Sequence, residues 1–180
     1  MADHMDDLEF AVAHDEPIPY RRRISTYYQG LGYGAPYRWA QYNHVPFTPL
    51  KKPLKDSRVV LITTAAPFDP DKGDQGPRAA YNSAAKFYKV YTQSTDGDPD
   101  VRISHIGIDR KHTTAEDPGT WFPLKQLKRL EAEGRFKELV PEFIGAPTNR
   151  SQKVTIEQDC VDILSEVRRL QADVAVLVAN

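Results

Sequence analysis

The chain of 180 residues carries 24 Lys and Arg against 25 Asp and Glu, with 40% hydrophobic and 27% charged residues, the mixture of one ordinary globular domain. A net charge of -1 gives no whole-protein attraction for nucleic acid or an anionic membrane, and the single cysteine, Cys160, excludes an internal disulfide and fits a reducing cytoplasm. No apolar run approaches the length of a membrane span and no charged leader with an apolar core opens the chain, so the expectation is neither a membrane protein nor a secreted one.

Residues 1–16 hold six acidic residues and no Lys or Arg, the pattern of a mobile acidic arm ahead of a single domain over 17–180. Tyr20, Ile24, Tyr27, Tyr28 and Leu31 recur at helical spacing and predict a helix from Pro19 to Gln29. The triplet Arg21, Arg22, Arg23 is too short for a polyanion site and reads as a solvated helix face. "GLGYG" (30–34) follows a helix and precedes a Pro-rich stretch, so it lacks the strand and helix that a dinucleotide loop requires and reads as a helix end and turn. Prolines 36, 46, 49 and 53 then forbid a regular helix, while Tyr33, Tyr37, Trp39, Tyr42 and Phe47 predict an extended, ordered wrap.

"RVVLITT" (58–64) is a β-branched run after a turn signal, hence a first core strand, and "FYKVYTQ" (87–93) predicts a second. "RISHIGID" (102–109) alternates weakly, as a strand end passing into a loop would. "PLKQLKRLEAEG" opens on Pro123, places Leu124, Leu127 and Leu130 on one face and closes on Gly134, which predicts a helix. A third helix is predicted from a capping box of Thr155 and Gln158, with Ile156, Cys160, Ile163, Leu164, Val167 and Leu170 as its buried stripe. "DVAVLVAN" (173–180) then reads as a buried parallel strand. The order of elements gives an α/β fold with a mainly parallel sheet and flanking helices, preceded by the first helix and the aromatic wrap.

Three stretches could carry chemistry. Cys160 falls within an apolar stripe, where a thiol behaves as a small hydrophobe and makes a poor nucleophile. "APFDPDKGDQGP" (66–77) directly follows the first strand, so Asp69, Gly73 and Asp74 are placed at a strand's carboxyl end, where open α/β sheets bind ligands. His105, Asp109 and His112 in the next loop have a spacing open to three readings: proton transfer or substrate binding through His105 and Asp109, a metal site of a lyase, or a polar loop.

"VVLITTAAPFDPDKGDQGP", "DVRISHIGIDR", "WFPLKQLKRLEAEGRFKELVP" and "DILSEVRRLQADVAVLVAN" together resemble the B-component selenoproteins of glycine, sarcosine, betaine and D-proline reductases, above all their short bacterial relatives, over roughly residues 20–180. The most specific piece is "RISH" with Asp109 and then "FPL" opening a helix. The resemblance implies a cytoplasmic, oligomeric reductase subunit acting on a small amino-acid-like substrate. It implies a selenocysteine or cysteine, two residues and a further cysteine directly after Asn180, with a dithiol electron-donor protein and possible partner subunits, one of which bears the pyruvoyl group that some complexes use. On that reading His105 and Asp109 serve proton transfer, and Asp69, Gly73, Asp74 and His112 bind substrate. The 180 residues contain no such redox pair and no cofactor of their own, and the expectation is that a codon ordinarily read as a stop follows Asn180 and encodes selenocysteine. A non-catalytic scaffolding subunit, complete at 180 residues and docking a catalytic partner through the aromatic wrap, is the alternative; a metal-dependent lyase using His105, Asp109 and His112 is the third.

Overall fold

The computed structural model describes residues 19–35, 42–45, 47–75, 85–103, 116–149 and 151–179, and the chain divides into two compact units, 1–42 and 43–180. In the first, helix α1 spans Tyr20–Gly30 and starts behind Pro19, whose missing N–H costs nothing at a helix start. It ends where Gly32 takes φ +78° and the Tyr33 N–H returns to the Tyr28 carbonyl at 3.1 Å. None of its residues is buried, and the Tyr28 and Tyr33 rings meet edge to face at 5.4 Å.

The second unit is organised on strand β1 (Arg58–Thr63). On one side β1 pairs in parallel with β7 (Val174–Val178) over five consecutive residues, Val59 with Val174 through Thr63 with Val178. On the other it pairs in parallel with β5 (Glu138–Leu139) and then β6 (Glu142–Gly145). The register steps from Val59 opposite Leu139 to Ile62 opposite Ile144, so four residues (140–143) stand opposite two (60 and 61). Pro141 lies in that bulge, where a residue without an N–H is tolerated. The Val140 N–H still reaches the Val59 carbonyl at 2.9 Å, and the two short strands continue one another. Strand β3 (Tyr91–Ser94) adds antiparallel to β6, and β2 (Ala66–Pro67) with β4 (Val101–Arg102) forms a separate two-residue ribbon.

Alternation along β1 divides its side chains between two cores. Val59 and Leu61 pack with Phe122, Leu124, Leu127 and Phe143 on the side of helix α2 (Leu124–Ala132). Val60 and Ile62 pack with Val140, Ile144 and Leu170 on the other face, beneath helix α4 (Cys160–Arg169). The result is an α/β arrangement with a mostly parallel sheet covered on each face by a helix, as the pattern of elements predicts.

Several expectations are corrected. The last helix begins at Ser151, whose hydroxyl accepts the Val154 N–H at 3.3 Å, so Thr155 is not its cap. It runs through α3 (Gln152–Val154) and a π turn (Thr155–Asp159) into α4. Of its predicted buried stripe only Leu170 is buried and Ile163 and Val167 are half-buried; Ile156, Leu164 and Cys160 are exposed. The apolar arc is wider than the sheet beneath it, and one flank is left outside. For the same reason β7 is parallel but not buried: among the described residues it pairs only with β1, and its side chains alternate between half-buried and exposed. The second predicted strand is observed at 91–94, and β5 and β6 arise in a stretch with no strand prediction. The acidic arm and part of the aromatic wrap lie outside the described residues; Val45 and Phe47, which are described, are exposed at 75% and 90%.

At the amino end of the sheet, the Asp173 carboxylate accepts the Arg58 backbone N–H at 2.8 Å and pairs with Lys52 at 2.7 Å. The Arg58 backbone N–H, followed by Lys52, holds the Asp173 carboxyl below the usual range. At the other end Gly145 lies under the Tyr91 ring, in the place a Cβ would occupy. That ring cannot readily yield, because its hydroxyl donates to the Ala65 carbonyl at 2.7 Å and it packs on Phe87 and Phe143. Gly145→Ala is expected to cost about 1–3 kcal/mol of stability through overpacking. Urea denaturation of the two proteins measures it, and an unchanged midpoint would show that the ring moves freely.

Candidate functional site at the carboxyl ends of the parallel strands

Parallel strands that start together also end together, and the carboxyl ends of β1, β6 and β7 meet at one rim. Thr63 is the last residue of β1 and is fully buried. Its backbone carbonyl accepts the Ala146 N–H at 2.7 Å, from the residue that follows β6, and the next residue's N–H, that of Thr64, donates to the Val178 carbonyl of β7 at 3.3 Å. The Thr63 hydroxyl donates to the Trp121 carbonyl at 3.0 Å and accepts the Ala65 N–H at 3.1 Å. One side chain therefore fixes the turn out of β1 and the loop that precedes α2.

Two loops leave this rim. The first, after β1, is held against β4 by the β2–β4 ribbon and by the Phe68 N–H donating to the Asp100 carbonyl at 3.1 Å. Asp69 caps the short turn Pro70–Lys72: one carboxylate oxygen accepts the Asp71 N–H at 3.1 Å and the other pairs with Lys72 at 3.2 Å. Its acceptors are thus engaged in shaping the loop. Gly73 takes φ +77° to end that turn, and buried Gln75 donates to the carbonyls of Asp69 and Gly73 at 2.6 and 3.2 Å. Gly73 and Asp74 are exposed. Arg102 lies over the Phe68 ring at 4.7 Å and pairs with Asp100 at 2.6 Å, which closes the ribbon from the side.

The second loop precedes α2. Asp117 accepts the Gly119 N–H at 2.8 Å and so caps the turn Pro118–Thr120, which feeds Trp121 and Phe122 into the core at 6% exposure each. Phe122 meets Phe143 edge to face at 4.8 Å, and Tyr91 meets Phe143 at 6.0 Å, giving the rim a floor of aromatic rings. Burial pushes the Tyr91 phenol up from its ordinary value, so its hydroxyl stays protonated and donating. A cleft of about 880 Å3 runs beside this loop, lined among others by Arg102, Asp117, Trp121 and Lys125, and the buried Trp121 indole N–H has no hydrogen-bond partner among the described residues.

Of the residues picked out from sequence, Asp69, Gly73 and Asp74 lie in the loop that follows β1 and β2, with their contacts inside that loop; His105, Asp109, His112 and Asn180 lie outside the described residues. Among the described residues there is no group of three or more His, Cys, Asp or Glu side chains placed to hold a metal ion, and no helix long and apolar enough to cross a membrane. Cys160 is exposed on α4, so burial is not what sets it aside. Thr63, Tyr91 and Trp121 were not legible as site residues. The only signal for Thr63 is a hydroxyl residue closing an otherwise apolar strand.

No protein-family model, curated protein or solved structure matches this chain. The site is therefore read from its own residues.

Thr63→Val keeps the shape of the side chain and removes its hydroxyl, leaving the Trp121 carbonyl and the Ala65 N–H without their partner in a buried place. A loss of about 1–3 kcal/mol is expected, with Thr63→Ser close to wild type. Thermal melts of the three proteins measure it; equal losses for valine and serine would assign the effect to packing.

Proposed function

We propose that this chain supplies the α/β frame of a thiol- or selenol-dependent reductase subunit that cleaves a carbon–nitrogen or similar bond in a small amino-acid-like molecule, working in the cytoplasm with a dithiol electron-donor protein. The observation that carries this reading is the convergence of the β1, β6 and β7 carboxyl ends, from which the chain runs on into the loop bearing Gly73 and Asp74. A ligand in an open α/β sheet binds at such a rim. The four segments that resemble the reductase B components include the loop after β1, the whole of α2 and most of α4. By that resemblance the selenol or thiol follows β7, where it would bond to the substrate carbon as the amine leaves with its proton. A dithiol then returns two electrons, the carbon departs as C–H and the dithiol becomes a disulfide.

The chain's own residues bind and orient in this scheme. The exposed Gly73 backbone admits a ligand closely, Asp74 offers a carboxylate to a substrate ammonium, and the Thr63 network keeps the two loops in fixed relation. His105 and Asp109 are the proposed proton-transfer pair. A second reading, a non-catalytic subunit that docks a catalytic partner, is favoured by the exposed Val45 and Phe47.

Protein isolated from its native cells, given a dithiol and a panel of glycine, N-methylated glycines and proline, tests the reading. Release of amine from the glycines, or opening of the proline ring, with one dithiol oxidised per turnover is expected, and His105→Ala should lower that rate about 100-fold or more with its melting temperature unchanged. No dithiol-dependent cleavage of any member of the panel would favour the docking subunit.

A further inference from the structure

Helix α2 runs against the direction of β1. Beyond its carboxyl end the Lys137 N–H meets the Ser57 carbonyl at 3.0 Å and Glu138 pairs with Arg58 at the start of β1. Just before its first turn, the Trp121 carbonyl accepts the hydroxyl of Thr63, the last residue of β1. The start of α2 therefore stands at the rim where the parallel strands end, and its Leu124, Lys125 and Gln126 line the cleft of about 880 Å3.

That start is uncapped. No side chain accepts a hydrogen bond there, and Pro123 has no N–H to offer. The Leu124 N–H turns back to the Phe122 carbonyl at 2.8 Å and the Leu127 N–H bonds the Pro123 carbonyl at 3.0 Å, which leaves the N–H groups of Lys125 and Gln126 without a partner among the described residues. A third donor borders the same cleft. Trp121 is 6% exposed, and its indole N–H is closed to water and unpaired among the described residues. The ring belongs to a cluster of apolar side chains, Val59, Leu61 and Phe122 among them, none of which bears an acceptor. The cleft is the side from which an acceptor can come, and one that came would recover the free energy lost by burying the donor unpaired.

We infer that this cleft binds the carboxylate of a small organic acid, held by the Trp121 indole N–H and the backbone N–H groups of Lys125 and Gln126. A helix start adds a partial positive charge to its free N–H groups, and anions bind there for that reason. The surrounding charges favour an anion carrying a single charge. The two cations among the described lining residues are already paired, Arg102 with Asp100 at 2.6 Å and Lys125 with Asp98 at 3.0 Å. Glu116 and Asp117 add two further carboxylates to the lining, so the second charge of a phosphate would meet repulsion. Ile103 and Pro118 offer apolar wall to the rest of the ligand. In the reductase reading the anion is the carboxylate of the amino-acid-like substrate; that identification rests on the reading, whereas the carboxylate site rests on the three donors.

Proton–nitrogen NMR of the full chain, titrated with sodium acetate, glycine or proline and with no dithiol present, tests the site. The chain has two tryptophans, so Trp121→Phe identifies the Trp121 indole signal and leaves that of Trp39 as a reference. The Trp121 indole and the Lys125 and Gln126 amides are expected to shift together and saturably as they gain a charged acceptor, with half-saturation by acetate at about 10 mM, while sodium chloride and acetamide leave them unmoved. Trp121→Phe, read at the two amides, should weaken acetate binding about tenfold, and Lys125→Glu, at an exposed position, about fivefold, with the fold retained. No shift by about 100 mM acetate, an equal shift with chloride, tighter binding of phosphate than of acetate, or indifference to both substitutions overturns the inference. Binding of acetate, glycine and proline without dithiol-dependent cleavage keeps the site and sets the reductase reading aside. Cleavage with no response from the three N–H groups does the reverse.

Discussion

The 43–180 unit depends on the burial of a single strand. β1 has a hydrogen-bonded parallel neighbour on each side and a hydrophobic core on each face, and its residues Val59 to Thr63 are all buried. A strand in that position must be apolar on both faces, which is why "VVLIT" runs without alternation. The other elements of the sheet are placed relative to it: β7 by five register pairs, β5 and β6 by pairing across the Pro141 bulge, α2 by the odd-numbered side chains and α4 by the even-numbered ones.

Function is tied to the same strand because its last residue changes the kind of interaction it makes. Up to Ile62 the side chains contribute hydrophobic burial, whereas Thr63 contributes a hydroxyl that holds two loops at once. The site loops are thus fixed to the most buried point of the sheet rather than to one another. This suits a rim that has to present backbone and carboxylate groups in constant geometry. The oxygens of Asp69 shape the loop, in which Gly73 and Asp74 are exposed.

Features set by local chemistry could be read from the sequence. The first strand, α1 and α2 follow from β-branched content and helical spacing, and the α/β class follows from their order. What could not be read depends on neighbours. β5 and β6 were hidden because Pro141 and the glutamates at 138 and 142 break any local strand pattern, and only pairing with β1 makes these residues extended. Ile156, Cys160 and Leu164 have the spacing of a core stripe, yet how much of an apolar arc is covered depends on the width of the sheet beneath it. At the site, Asp69, Gly73 and Asp74 could be placed because they follow a strand directly. Thr63, Tyr91 and Trp121 become site residues only through contacts between segments distant in the chain, such as the Tyr91 hydroxyl on the Ala65 carbonyl.

Native-state hydrogen exchange measures most directly whether β1 is the strand on which the unit depends. The amides of Val60, Leu61 and Ile62 are expected to exchange only through global unfolding, with protection equal to the full unfolding free energy, while those of α4 and β3 open at lower cost. Exchange of the β1 amides as fast as those of α4, or protection that peaks in β3, would contradict the account.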